Sequence, residues 1–237
     1  MSESAELTSA GEIRDRYDRL RRRLREAAEG AGRDPDAHRV VAVTKSLPIE
    51  VARAAVGAGL TRLGENRVQE ALPKIEALPD AEWHLIGRLQ SNKARRAAEA
   101  FAVIHSVDSL DLLRRLDASG AAPRLLLQVN VTGDLAKAGF DAEWFAAQAQ
   151  NRGELATLLG ELHRSPVVGL MTIGRLDGDP RPGFAQLRRL RDALEQSAAI
   201  GLPELSMGMS ADADAAVAEG ATLVRIGTAL FGPRSAA

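Results

Sequence analysis

From residue 39 to the C-terminus, short apolar runs alternate with longer stretches whose apolar residues recur at helical spacing. The runs at 39–45, 61–65, 82–86, 102–107, 124–131, 166–172, 204–207 and 222–227 predict strands. Helices are predicted near 49–58, 66–77, 91–100, 109–119, 141–163, 182–199 and 211–219. The second, sixth and seventh strands carry the weakest pattern. No hairpin signal separates the runs, so the strands are expected to lie parallel. Eight strands in 237 residues fit one α/β domain, a closed (β/α)8 TIM barrel at the short end of its size range. A doubly wound open sheet is the alternative, because a strand count does not show closure.

Ahead of the first strand, Ile13, Tyr17, Leu20 and Leu24 recur at helical spacing within 9–31. They predict an extra N-terminal helix covering the bottom or flank of the barrel. The domain is expected to span 9–237, after a disordered tail at 1–8. The arginine run at 21–23 reads as a solvated helix face in preference to a nucleic-acid patch. The stretch 174–183, rich in Gly and Pro, is a long loop, either a mobile lid or a tolerated insertion.

Charge narrows the partners. Lys and Arg total 31 against 32 Asp and Glu, so no global field attracts nucleic acid or an anionic membrane. The absence of cysteine excludes a disulfide scaffold and Cys-ligated metal, and suits a reducing compartment. The polar N-terminal stretch is not a secretory signal, and no apolar run approaches the roughly 18 residues of a membrane span. A cytoplasmic monomer is expected.

Lysine is used only four times while arginine is frequent. Arg stays protonated in a protein, whereas a buried Lys can lose its proton and attack a carbonyl. Lys45 closes the first apolar run, at the strand end where α/β sheets place their ligands. The other three are less telling: Lys74 falls on a polar helix face, Lys93 just inside a helix start, Lys137 in a Gly-rich loop. Strand alternation puts Val41, Val43 and Lys45 on one face, and Leu223, Arg225 and Gly227 on one face of the last strand. In a closed barrel these strands are neighbours, so Lys45 and Arg225 would share the inner rim, where a nearby cation and burial favour the neutral amine. The segments 205–210 and 225–232 each end a strand and open a helix with small residues. Their backbone N–H groups could hold a phosphate, with Ser210 and Thr228 as helix N-caps in the plainer reading.

Asn66 follows the second strand and could cap the next helix or touch a ligand. His84 and His105 lie in the third and fourth strands, where a histidine is more often hydrogen-bonded packing than a catalyst. Their spacing matches no zinc signature, so no metal is expected. Gly57-Ala58-Gly59 precedes a strand, against a dinucleotide fingerprint, and the segment at 208–212 lacks the second glycine of a nucleophile elbow. A reactive Lys, a cation and a phosphate cradle together suggest pyridoxal 5′-phosphate held as an imine.

The segments Val41-Ala42-Val43-Thr44-Lys45, Gly64-Glu65-Asn66-Arg67-Val68-Gln69-Glu70, Trp83 to Lys93, Gly169-Leu170-Met171-Thr172-Ile173, Leu205 to Ser210 and Val224-Arg225-Ile226-Gly227-Thr228 occur in order from about Val40 to Gly232. Together they closely resemble the pyridoxal phosphate homeostasis proteins, the YggS/PROSC-like family. The resemblance implies a single barrel like the N-terminal domain of bacterial alanine racemase, with pyridoxal phosphate on Lys45. It further implies Ser210, Gly227 and Thr228 at the phosphate with Met209 beside them, Arg225 at the pyridine nitrogen, and Asn66 and His84 around the ring. The loop at 174–182 follows no pattern shared with the family.

A racemase of the alanine racemase kind needs a second domain that supplies a tyrosine base. Here the chain stops shortly after the eighth strand, and its one tyrosine, Tyr17, lies in the N-terminal helix. An Arg at the ring nitrogen leaves the ring unprotonated and a poorer electron sink. No second Lys is expected at the rim as a base. The expected function is therefore a non-catalytic carrier or buffer of the cofactor, with apoenzymes that need it as partners. An amino-acid racemase or lyase of narrow scope is the alternative, and a Lys-imine aldolase acting on a sugar phosphate is a weaker third.

Overall fold

Each apolar run becomes a strand, and the way the strands pair closes them into a ring. The computed structural model describes residues 9–134, 136–151, 153–175 and 177–233; the tail expected at 1–8 lies outside them. The strands are β1 (Arg39–Val43), β2 (Arg62–Glu65), β3 (Glu82–Leu85), β4 (Val103–Val107), β5 (Arg124–Asn130), β6 (Phe140–Asp141), β7 (Val167–Met171), β8 (Glu204–Ser206) and β9 (Leu223–Ile226). All pairings are parallel. Order runs β4-β3-β2-β1-β9-β8-β7-β5, and the β4–β5 pairing joins its ends. The result is a closed (β/α)8 barrel and not the open sheet. The two-residue β6 pairs with the end of β5 outside the ring.

The helices are α1 (Ala10–Gly30), α2 (Ile49–Gly57), α3 (Val68–Ala77), α4 (Ala94–Ala100), α5 (Leu110–Asp117), α6 (Ala142–Asn151), α7 (Glu154–Glu161), α8 (Arg181–Ala198), α9 (Ala213–Ala218) and α10 (Thr228–Phe231). Ser9 and Glu12 form a capping box at the start of α1, which buries Ile13, Leu20 and Leu24. Helix α1 packs on α2, α9 and α10, so it covers the flank where β1 meets β9. Its Arg23 faces Asp214 at 2.8 Å on the exposed side, as a solvated face would. The single helix expected over 141–163 is two, with Gly153 as the N-cap of α7. A side chain at Gly153 would meet Gln148 Oε1 at 2.2 Å, and that oxygen instead accepts the Leu155 N–H. Among the described residues no helix is long and apolar enough to cross a membrane.

Inside the ring, side chains stack in layers. At the bottom, Arg39 pairs with Glu204 at 2.6 Å, and Arg62 and Arg124 flank Glu82 at 3.3 and 2.6 Å. Above them Val41, Val103, Leu126, Met171 and Leu223 fill the centre. The alternation predicted for β1 and β9 holds: Val41 and Leu223 face inward, while Ala42, Val224 and Ile226 pack against the helices.

One ion pair sets the top of β1. Lys74 does not lie on a polar helix face, as its sequence position suggested. It is buried, and its Nζ donates to Glu65 Oε1 at 2.7 Å and to the Thr44 carbonyl at 2.9 Å. Helical periodicity cannot tell a solvated lysine from one that reaches inward to a buried carboxylate on the preceding strand. Thr44 Oγ1 also donates to Glu65 Oε1 at 2.7 Å, so β1, β2 and α3 are tied together one residue before Lys45. Removing one partner of a buried pair leaves the other charge uncompensated, at a cost of about 3–5 kcal/mol. Lys74→Ala should lower unfolding stability by about 3 kcal/mol in urea titrations. A loss under about 0.5 kcal/mol, the size of an ordinary surface substitution, would contradict this placement.

Candidate functional site

A cavity of about 550 Å³ opens at the C-terminal ends of the strands. Lys45, Asn66, Met209, Ser210, Arg225, Gly227 and Thr228 all line it, together with Val43, Ile86, Gln128, Lys137 and Ile173. Its volume lies within the range of small-molecule sites. A larger polar groove of about 820 Å³ adjoins it and shares Asn66, Arg88 and Ala138 with it.

Local geometry explains how each residue arrives there. Lys45 stands just past β1, beyond the Thr44 clamp. The chain turns away at Ser46, whose φ of 59° lies in the left-handed region that non-glycine residues seldom adopt. Arg225 pairs in register with Val41 on the neighbouring β1, which brings guanidinium and lysine to one wall. Asn66 is not the N-cap of α3; that position is Arg67, which makes no side-chain cap bond. The Asn66 backbone packs on Gly87, where a Cβ would lie 2.3 Å from the Asn66 carbonyl oxygen.

The two strand-to-helix turns, after β8 and β9, continue this wall. Gly208 has φ +88°, and a side chain there would meet Ala216 at 2.5 Å. Asp212 accepts the Met209 N–H and is itself the N-cap residue of α9, so Ser210 is free of that role. Ser210 Oγ instead accepts the Ala229 N–H at 3.3 Å, joining this turn to the start of α10. Gly227 is the N-cap residue of α10 and Thr228 its first residue. Hydroxyls and backbone N–H groups thus gather beside two cations, a donor set suited to an anion.

Arg225 is the electrostatic centre of the wall. Burial lowers its pKa to about 10, with Asp212 opposing, so it stays charged at neutral pH. Its Nη1 donates to Ser206 Oγ at 2.6 Å and its Nη2 to the Thr172 carbonyl at 2.7 Å. His84 is a correction: it does not line the cavity. It sits one layer deeper than Ile86, with Nε2 bonded to Glu82 at 2.9 Å and Nδ1 to His105 at 2.8 Å. Two residues along a strand face the same way but about 7 Å lower, so His84 takes the hydrogen-bonded packing role that its strand position suggested, not the place at the ring that the resemblance implied. Burial lowers the pKa of both histidines, that of His105 well below its ordinary value, so both rings are neutral.

Three wall residues escaped the sequence reading. Gln128 shares the inward face of Leu126 on β5, so the same alternation could have found it; its Nε2 donates to the Ala138 carbonyl at 2.8 Å. Ile173 follows β7 and is 37% exposed at the wall. Lys137 is a second correction, because no second lysine was expected at the rim. Its Nζ reaches the Gly174 carbonyl at 3.2 Å, which only the folded path of the loop reveals.

A barrel of this kind, with lysine and arginine on adjoining strand ends, matches a known class. The sequence profile of the family described as alanine racemase, N-terminal domain, covers residues 16–235. Alanine racemase from Streptomyces coelicolor A3(2) shares the fold at TM-score 0.70 and 22% identity, over 95% of this chain and 59% of that one. The pyridoxal phosphate homeostasis protein of Aquifex aeolicus (strain VF5) is 42% identical over 229 residues, 93% of this chain and 97% of that protein. PipY of Synechococcus elongatus PCC7942, solved with PLP bound, is 42% identical with a TM-score of 0.78, covering 93% of this chain and 100% of that one. The chain belongs to the family of pyridoxal phosphate homeostasis proteins.

Electrostatics beneath the cavity yields a pH test. The hydrogen bond from His84 and the charge of Arg124 hold Glu82 down at about 2, from an ordinary 4.5. A carboxylate with a depressed folded pKa adds stability above its unfolded pKa and loses it as pH falls toward the folded one. The stability advantage of wild type over Glu82→Gln should be full above about pH 4.5 and shrink as pH falls toward 2. Urea midpoints measured across that range check this; a gap that does not vary with pH would contradict it.

Proposed function

We propose that this protein holds pyridoxal 5′-phosphate covalently through Lys45 and serves its homeostasis as a carrier and buffer, as a monomer in the cytoplasm. The carrying observation is that Lys45 and the buried Arg225 meet in one cavity on neighbouring strands. When bound, the cofactor supplies an aldehyde carbon that condenses with a lysine amine, releasing water. The donor set fits it: an amine for the aldehyde, a fixed guanidinium for the ring nitrogen, and the turns at Met209, Ser210, Gly227 and Thr228 for the phosphate. Asn66, in the same cavity lining, would stand beside the ring. Support also comes from the relatives, named for pyridoxal phosphate homeostasis, and from PipY, whose structure has PLP bound.

The carrier reading rests on Arg225 and on the missing tyrosine. Arg225 would donate a hydrogen bond to the ring nitrogen without giving up its proton, which leaves the ring unprotonated and a weak electron sink. The one tyrosine, Tyr17, packs against the core from α1 and is not among the cavity residues. One observation favours a second reading, a racemase or lyase of narrow scope: the Lys137 amine also lines the cavity, and such a reaction requires a base.

Borohydride treatment of the loaded protein, followed by peptide mapping, should place the added mass on Lys45. Label on Lys74, Lys93 or Lys137 would overturn the assignment. Across a panel of amino acids the loaded protein should show no racemisation, transamination or decarboxylation, and incubation with an apoenzyme that needs the cofactor should restore that enzyme's activity. Turnover of about 1 s⁻¹ or more, abolished by Lys137→Met, would establish the second reading instead.

A further inference from the structure

Arg225 is a buried cation, and among the described residues no carboxylate is hydrogen-bonded to it. Asp212 acts on its charge from the turn after β8, and a file of buried side chains leads from Arg225 to a second carboxylate, Glu82, on the barrel floor. Arg225 Nη1 meets Ser206 Oγ at 2.6 Å, Ser206 Oγ meets His105 Nδ1 at 2.8 Å, His105 Nε2 meets His84 Nδ1 at 2.8 Å, and His84 Nε2 meets Glu82 at 2.9 Å. Ser206 and His105 are fully buried and His84 is 1% exposed, so no solvent competes along the way. The file spans β9, β8, β4 and β3 through the middle of the barrel.

The chemistry of its two ends fixes every proton in it. Glu82 is a carboxylate and only accepts, so His84 Nε2 carries hydrogen. A neutral His84 then accepts at Nδ1, which places hydrogen on His105 Nε2 and leaves His105 Nδ1 to accept from the Ser206 hydroxyl. Ser206 oxygen in turn accepts from Arg225, which only donates. The two ends demand the same direction, so each donor points from the cavity toward the barrel floor. Chains polarised in one sense strengthen each bond in them. The second Arg225 bond, to the Thr172 carbonyl, holds the other terminal nitrogen and fixes the plane of the guanidinium.

We propose that Glu82, His84, His105 and Ser206 form a one-way hydrogen-bond relay that positions Arg225 toward the ring nitrogen of the bound cofactor and couples that nitrogen to the carboxylate on the barrel floor. This rests on the cofactor reading above, with Arg225 at the ring nitrogen. Ser206, His105 and His84 are positioning residues: none of them lines the cavity, and each acts through Arg225. The relay also gives the inward histidines a task that core packing alone would not require, since two apolar side chains would fill the same space without buried polar atoms to satisfy.

Long-range ¹H–¹⁵N spectra of the uniformly labelled protein test it, with only four histidines to assign. His38 and His163 lie outside the relay and serve as controls. Without ligand, His84 and His105 should both be neutral with hydrogen on Nε2. Addition of pyridoxal 5′-phosphate should move the ¹⁵N signals of His105 and of the more distant His84. In Ser206→Ala the response at His84 should vanish while the long-wavelength absorbance of the Lys45-bound cofactor still forms, and Ser206→Thr, which keeps the hydroxyl, should restore it. If Ser206→Ala does not fold, His105→Phe makes the same cut with little change in volume. A His84 response of equal size in the cut variant, or hydrogen on Nδ1 of either ring, overturns the relay. Failure of the wild type to form the Lys45-linked absorbance would instead overturn the cofactor reading, and the ligand-free tautomers would still decide the relay.

Discussion

The interior of a closed barrel admits little water, so every polar group that points inward must find its partner among the other inward groups. That constraint organises this molecule from floor to rim. Arginines and glutamates interlock at the bottom, an apolar layer fills part of the centre, and a file of hydrogen bonds climbs past it to Arg225. An uncompensated guanidinium this deep would be costly. Its cost is offset by bonds to Ser206 and to the Thr172 carbonyl, and so the cavity gains a fixed cation without a carboxylate at its wall.

The Lys45 side of the cavity depends on a second buried pairing, this one between the ring and its helices. Lys74 and Glu65 close on the Thr44 carbonyl and hydroxyl, and hold the end of β1 from outside the ring. Lys45 follows directly, and Ser46 takes the unusual backbone angle that turns the chain toward α2. Helix α1 covers the seam where β1 meets β9, the two strands that carry Lys45 and Arg225. The first and last barrel units are therefore braced against each other where Lys45 and Arg225 stand. The proposed carrier role would gain from such rigidity, which fixes the Lys45 amine and the Arg225 guanidinium relative to each other.

The strands and the barrel were legible in the chain because burial on both faces writes continuous apolar runs, and because parallel connections need helices between strands. Alternation along those runs was enough to place Lys45 and Arg225 on one inner face, and the turns after β8 and β9 stood out by their small residues. Of the candidate site, seven of the eight expected residues meet in one cavity. His84 was the exception: only the family resemblance set it beside the ring, whereas its strand position read as hydrogen-bonded packing, the role it takes. The break between α6 and α7 was missed because one glycine interrupts a helical period without erasing it.

What the sequence determined by itself was local: which segments form strands and helices, which way strand residues point, and which side chains carry unusual chemistry. Partnership across distance belongs to the tertiary structure. Lys74 read as a surface lysine and Lys137 as a loop lysine, yet one clamps the β1 end and the other reaches the cavity wall. His84, His105 and Ser206 come from separate strands, and nothing in their spacing announces a single file. The reason is geometric. A hydrogen bond requires atoms within about 3 Å, and only closure of the barrel brings residues more than a hundred positions apart to that distance.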